Sequence, residues 1–85
     1  MNFLWIKRLI KKNKISIGFL GAGNMAKAHA KAFRDIPNVL LAGVFNRTKS
    51  RAEAFAKEFQ ILNVYNSTEE LWRSTQADLV EISVS

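Results

Sequence analysis

The sequence predicts an α/β fold: part of a doubly wound parallel sheet, with elements in the order β-α-β-α-β-α-β. Three observations carry that expectation. Short apolar runs alternate with segments of helical period. The runs are nearly continuous in hydrophobicity, as in strands covered on both faces. A glycine-rich turn joins the first run to the first helix. Right-handed crossovers then place the strands in the order 3-2-1-4, with the first and fourth flanking the crevice where the winding reverses.

The first strand is the run Ile15 to Leu20, and glycines begin where it stops. Gly21, Gly23 and Ala26 occupy the three positions of the G-x-G-x-x-G/A fingerprint between a strand and a helix. Gly21 is expected to turn the chain off the strand, Gly23 to let bare backbone approach a pyrophosphate, and Ala26 to seat the helix on the sheet. The helix beginning near Asn24 points unpaired N–H groups and the positive end of its dipole at the same place. Met25, Ala26, His29, Ala30 and Phe33 follow the spacing of a face packed on a sheet, with Lys27, Lys31 and Arg34 opposite. His29 therefore reads as a hydrogen-bonded packing residue. Pro37 and Asn38 end the helix.

Val39 to Phe45 is the second strand, and Asn46-Arg47-Thr48 follows it. In a dinucleotide fold this strand end meets the adenosine ribose, where NAD-preferring sites place an acidic residue. Neutral Asn46 stands there instead, followed by Arg47, with Thr48, Lys49 and Arg51 close behind. A guanidinium binds a 2′-phosphate that a carboxylate would repel, so the expected cofactor is NADP rather than NAD. Asn46 and Thr48 could instead simply cap the next helix.

The second helix carries Ala52, Phe55, Ala56 and Phe59 as one apolar stripe, behind a capping-box pattern at Ser50-x-x-Glu53. A short third strand follows at Asn63 to Tyr65. Ser67-x-x-Glu70 caps a brief helix bearing Leu71 and Trp72. Asp78 to Ser85 reads as a fourth strand, in which Glu81 suggests an outer face less covered than usual. An apolar strand at a sheet edge invites self-association.

Eighty-five residues make one small domain: a basic extension over 1–14, then the N-terminal part of a dinucleotide-binding domain over 15–85. The net charge of +6 comes mostly from Lys7, Arg8, Lys11, Lys12 and Lys14. From Ile15 onward eight basic residues face seven acidic ones, which gives no case for nucleic acid. The extension is too short and charged to span a bilayer and lacks the pattern of a secretory signal. It reads as a loosely docked segment, with weak membrane-surface contact and organellar targeting as the other readings. With no cysteine and one histidine, thiolate chemistry and metal clusters are excluded, and the chain is expected to be cytoplasmic.

G-A-G-N-M-A-x-x-H, I-P-N-V-x-L-x-G-V-F-N-R-T, R-A-E-A-F-A-K-E-F and D-L-V-E-I-S-V together resemble the N-terminal Rossmann domain of the Gfo/Idh/MocA oxidoreductases, the glucose–fructose oxidoreductase and inositol dehydrogenase family. The resemblance implies that Gly21, Gly23, Asn24 and Met25 hold the pyrophosphate. It implies that Asn46, Arg47 and Thr48 hold the adenosine end, and that Ser83 and Val84 face the cofactor near its ribose. The family's Glu-Lys-Pro motif and its C-terminal substrate domain have no counterpart in these residues. No catalytic residue is therefore assigned, and the chain alone is expected not to turn over. The opening I-G-F-L-G-A-G-N-M-A is also similar to pyrroline-5-carboxylate reductase, another NADP enzyme, though His29 and the D-I-P-N-V turn fit it less well. A non-catalytic remnant or interaction module is the third reading.

Overall fold

A computed structural model of the chain describes residues 15–75 and 77–83. Its elements are β1 (Ile15–Leu20), α1 (Asn24–Arg34), β2 (Val39–Phe45), α2 (Lys49–Phe59), β3 (Asn63–Val64), α3 (Thr68–Thr75) and β4 (Leu79–Ile82). All strand pairings are parallel and the sheet order is β3-β2-β1-β4, the order expected from the sequence. The basic extension lies outside the described residues.

The two faces of the sheet are covered by different helices. Ile17 and Phe19 point one way along β1, and Gly18 between them points the other. Phe19 is fully buried against α1 and α2, its ring edge-on to Phe33 at 6.3 Å and to Phe55 at 5.3 Å between centroids. Such ring pairs contribute about 0.5–1.5 kcal/mol each beyond burial. Ala26, Ala30, Ala52, Phe55 and Phe59 complete this layer, so the alanine faces bring both helices close to the strands. On the opposite face the missing side chain of Gly18 makes room for Leu71 of α3, which is fully buried.

Local chemistry explains the element ends. Asn38, with φ 67°, turns the chain into β2 and accepts the Ile15 N–H on its carbonyl. α2 ends on Gln60 in the left-handed conformation (φ 57°, ψ 46°), whose N–H returns to the Ala56 carbonyl. The β1–β2 register shifts between Ile17 and Gly18, leaving Ala42 as the extra residue of a bulge. The Asn63 side chain donates to the Ala42 carbonyl at 3.1 Å. At α3 the expected cap forms: the Glu70 N–H donates to Ser67 Oγ at 3.0 Å. Glu70 reaches back to the N–H of Asn66, one residue before the cap.

Four expectations are corrected. The capping box at Ser50 and Glu53 does not form, because α2 starts earlier and Thr48 stands at its N-cap without a side-chain capping bond. Met25 is exposed, because in the first turn of α1 the neighbouring Ala26 takes the face against the core. Glu81 does not mark an open face. It shares the face of Phe19, its register partner, and lies under α1. β3 and β4 are also shorter than expected, at two and four residues. β4 is an edge of the sheet and exposes Leu79 and Ile82.

Candidate functional site

β1 is paired with β2 on one side and with β4 on the other, so the crossovers diverge at its carboxyl end. A cleft of about 360 Å³ opens there. Ligands of doubly wound sheets bind at this kind of reversal point. The last residues of the three strands, Leu20, Phe45 and Ile82, form its floor. Gly21, Asn46, Arg47, Thr48 and Ser83 line it, so the structure brings these five expected residues together.

Gly21 is required by two separate constraints. Its φ of +115° is disfavoured for residues with a side chain. A Cβ built on it would also lie 2.0 Å from the Ser83 carbonyl oxygen. The Gly21 N–H donates to the Phe45 carbonyl at 2.8 Å and the Ser83 N–H to the Leu20 carbonyl at 3.0 Å. One residue without a side chain thus lets three strand ends close on a single point.

Gly23, Asn24 and Met25 line a neighbouring groove of about 760 Å³ between α1 and α2. Gly23 is the N-cap of α1 and no side chain caps the helix, leaving its first-turn N–H groups to an external acceptor. No acidic residue lies in that turn, so nothing on the helix competes with an incoming anion. Gly23 itself is extended (φ −86°, ψ −168°), a conformation open to any residue. Its case as a glycine therefore rests on room for a ligand, not on backbone strain.

Asn46 donates its side-chain N–H to the Thr48 carbonyl at 3.1 Å, which braces the loop after β2. The Thr48 hydroxyl makes no capping bond, so capping does not account for this side chain. Arg51, one turn into α2, lines both recesses. The cleft thus carries two guanidinium groups, and no carboxylate among the described residues that line it. Thr68 also contributes, from the start of α3. Arg51 belongs to the basic cluster that the sequence shows after β2, whereas sequence spacing does not single out Thr68, whose signal is its place at the start of the helix after β3. Val84 lies outside the described residues.

His29 is hydrogen-bonded, as expected, and its partner is Glu81: Nδ1 to Oε1 is 2.5 Å. The Ser83 hydroxyl donates to the same oxygen at 2.6 Å. Among the described residues there is no group of three metal-ligating side chains, and no helix is long and apolar enough to cross a membrane.

Residues 15–85 match the Gfo/Idh/MocA family model, described as an oxidoreductase family with an NAD-binding Rossmann fold. The chain is 46% identical over 43 residues to glucose-6-phosphate 3-dehydrogenase of Bacillus subtilis, covering 51% of this chain and 12% of that protein. Its fold superposes on an NAD-binding oxidoreductase from Klebsiella pneumoniae with a TM-score of 0.74 at 27% identity, over 86% of this chain and 22% of that one. It also superposes on myo-inositol dehydrogenase from Lactobacillus casei, solved with NAD(H) and myo-inositol. There the TM-score is 0.75 at 22% identity, over 82% of this chain and 21% of that one, a likeness of fold alone. The chain thus spans between 12% and 22% of the length of these relatives.

Proposed function

The chain belongs to the Gfo/Idh/MocA oxidoreductase family, and we propose that its residues 15–85 form the N-terminal part of a cofactor domain that prefers NADP to NAD. The family match favours this lineage over the pyrroline-5-carboxylate reductase reading. The observation that carries the proposal is the cleft at the carboxyl ends of β1, β2 and β4, which gathers Gly21, Asn46, Arg47, Thr48 and Ser83.

The residues present fit a dinucleotide. Gly21 lacks the Cβ that would meet Ser83, and the start of α1 has no side-chain cap, so backbone N–H groups of Asn24 and Met25 can face the pyrophosphate across Gly23. Asn46 and Thr48 receive the adenosine ribose, and the Arg47 guanidinium takes the 2′-phosphate by charge-assisted hydrogen bonds. Arg51 adds a second positive charge to the same cleft. Ser83 flanks the ribose nearer the reacting ring, and the family resemblance alone assigns Val84 to the same end. When bound, the nicotinamide supplies the hydride chemistry of an oxidoreductase acting at a carbon–oxygen centre. This chain's contribution is to bind and orient it.

The test is Arg47→Ala, with both cofactors titrated calorimetrically. Loss of a charge-assisted contact lowers NADP affinity by about 10- to 100-fold while changing NAD affinity by about twofold or less. Equal losses for the two cofactors would remove the 2′-phosphate assignment and leave the dinucleotide site in place.

A further inference from the structure

Glu81 has no part in the fingerprint, yet it joins the two elements that frame the cleft. It sits on β4 opposite Phe19 of β1, so its side chain points under α1, and that side chain is 11% exposed. A carboxylate only accepts hydrogen bonds, so His29 Nδ1–H and Ser83 Oγ–H are the donors. Both converge on Oε1, at 2.5 and 2.6 Å, while Oε2 is buried without a partner among the described residues. A strand covered by a helix could hold a valine here at lower cost, because a buried polar atom left unpaired is unfavourable. The carboxylate therefore calls for a role beyond packing.

We propose that Glu81 is a positioning residue of the dinucleotide cleft, holding the His29 ring and the Ser83 hydroxyl on one carboxylate oxygen and so tying α1 to the strand end that closes the cleft. His29 lies just over one turn into α1, the helix whose uncapped start faces the phosphates. Ser83 lines the cleft, and its carbonyl is the atom that excludes a side chain at Gly21. A hydroxyl has one hydrogen, and here it is committed to Glu81. Toward a ligand Ser83 then offers an acceptor, suited to a ribose hydroxyl rather than to another carbonyl. The assignment of that ligand rests on the dinucleotide reading above. The tie between α1 and β4 does not.

Because both bonds land on Oε1, a carboxamide oxygen with its two lone pairs can accept both. Glu81→Gln thus keeps the positioning bonds but buries an unpaired NH₂ in place of Oε2, whereas Glu81→Ala removes the bonds. The experiment compares Glu81→Ala, Glu81→Gln and Ser83→Ala in the 85-residue chain. It reads dinucleotide affinity by calorimetry and, without nucleotide, exchange of the Ser83 amide, which is bonded to the Leu20 carbonyl. Glu81→Ala is expected to weaken binding about tenfold and speed that exchange. Glu81→Gln is expected to recover most of the affinity even though its stability falls. Combined with Ser83→Ala, the Glu81→Ala loss is less than additive. A folded Glu81→Ala with wild-type affinity and exchange overturns the proposal, as does a Gln variant that binds as poorly as the Ala variant. Should Glu81→Ala fail to fold, Glu81→Gln and Ser83→Ala decide it: a folded Gln variant that has lost wild-type binding overturns it. If the wild-type chain binds no dinucleotide, the functional reading fails, and unchanged exchange in the variants then overturns the tie as well.

Discussion

Gly21→Ala strikes the point where three strand ends meet. The new Cβ would stand 2.0 Å from the Ser83 carbonyl oxygen, where a carbon–oxygen contact needs about 3.3 Å. The end of β4 must therefore retreat by about an ångström, or the turn after β1 must unwind. Either movement strains the bonds from Gly21 N–H to Phe45 and from Ser83 N–H to Leu20, each contributing about 1 kcal/mol. Forcing alanine to the glycine φ of +115° adds about 1–3 kcal/mol. Together these give a destabilisation of about 3–5 kcal/mol, a large share of what a small domain possesses. The assay is guanidinium unfolding followed by far-UV circular dichroism. Gly18→Ala is the control: its Cβ would meet Leu71 at 3.4 Å and Ala77 at 3.6 Å, ordinary contacts, so its stability should stay within about 1 kcal/mol of wild type. A Gly21→Ala cost below about 1 kcal/mol, or a control more damaging than Gly21→Ala, would show that the Ser83 carbonyl does not exclude a side chain at this turn.

Gln60→Gly relieves a left-handed residue at the end of α2 and is expected to stabilise the chain by about 0.5–1 kcal/mol, read as a higher thermal midpoint. Burial, and secondarily the Glu70 carboxylate, hold the Tyr65 phenol above its ordinary value of 10.0. The native state therefore keeps that proton to higher pH than the unfolded chain does. The contribution is complete below about pH 10 and is lost as pH rises through the folded value, so unfolding curves should weaken above that pH and flatten in Tyr65→Phe. Among the described strands β4 is an edge with Leu79 exposed, and self-association measured by sedimentation should fall in Leu79→Lys.

Most of the frame is legible in the sequence because its signals are local. The glycines after Leu20 and the Pro37-Asn38 turn bound α1 and β2 at the residues observed. The stripe Ala52, Phe55, Ala56 and Phe59 is buried as its spacing requires. The cleft is legible to the extent that it lies at strand ends, which places Gly21, Asn46, Arg47 and Ser83 together. Long-range features escape such reading. Glu81 looks like an exposed intrusion in an apolar strand, because its partner His29 lies 52 positions away. The Ala42 bulge leaves no local mark, since the side chain that satisfies it comes from Asn63. Ser50 loses the N-cap position to Thr48 because the loop after β2, braced by Asn46, starts the helix two residues earlier than the Ser50 pattern requires.

The most direct test of the central claim is a calorimetric titration of the folded chain with NADP and, separately, NAD at low and moderate salt. NADP is expected to bind more tightly, and raising the salt to erode this advantage, because part of it comes from guanidinium groups at the cleft. No binding of either cofactor to a chain shown to be folded would contradict that claim.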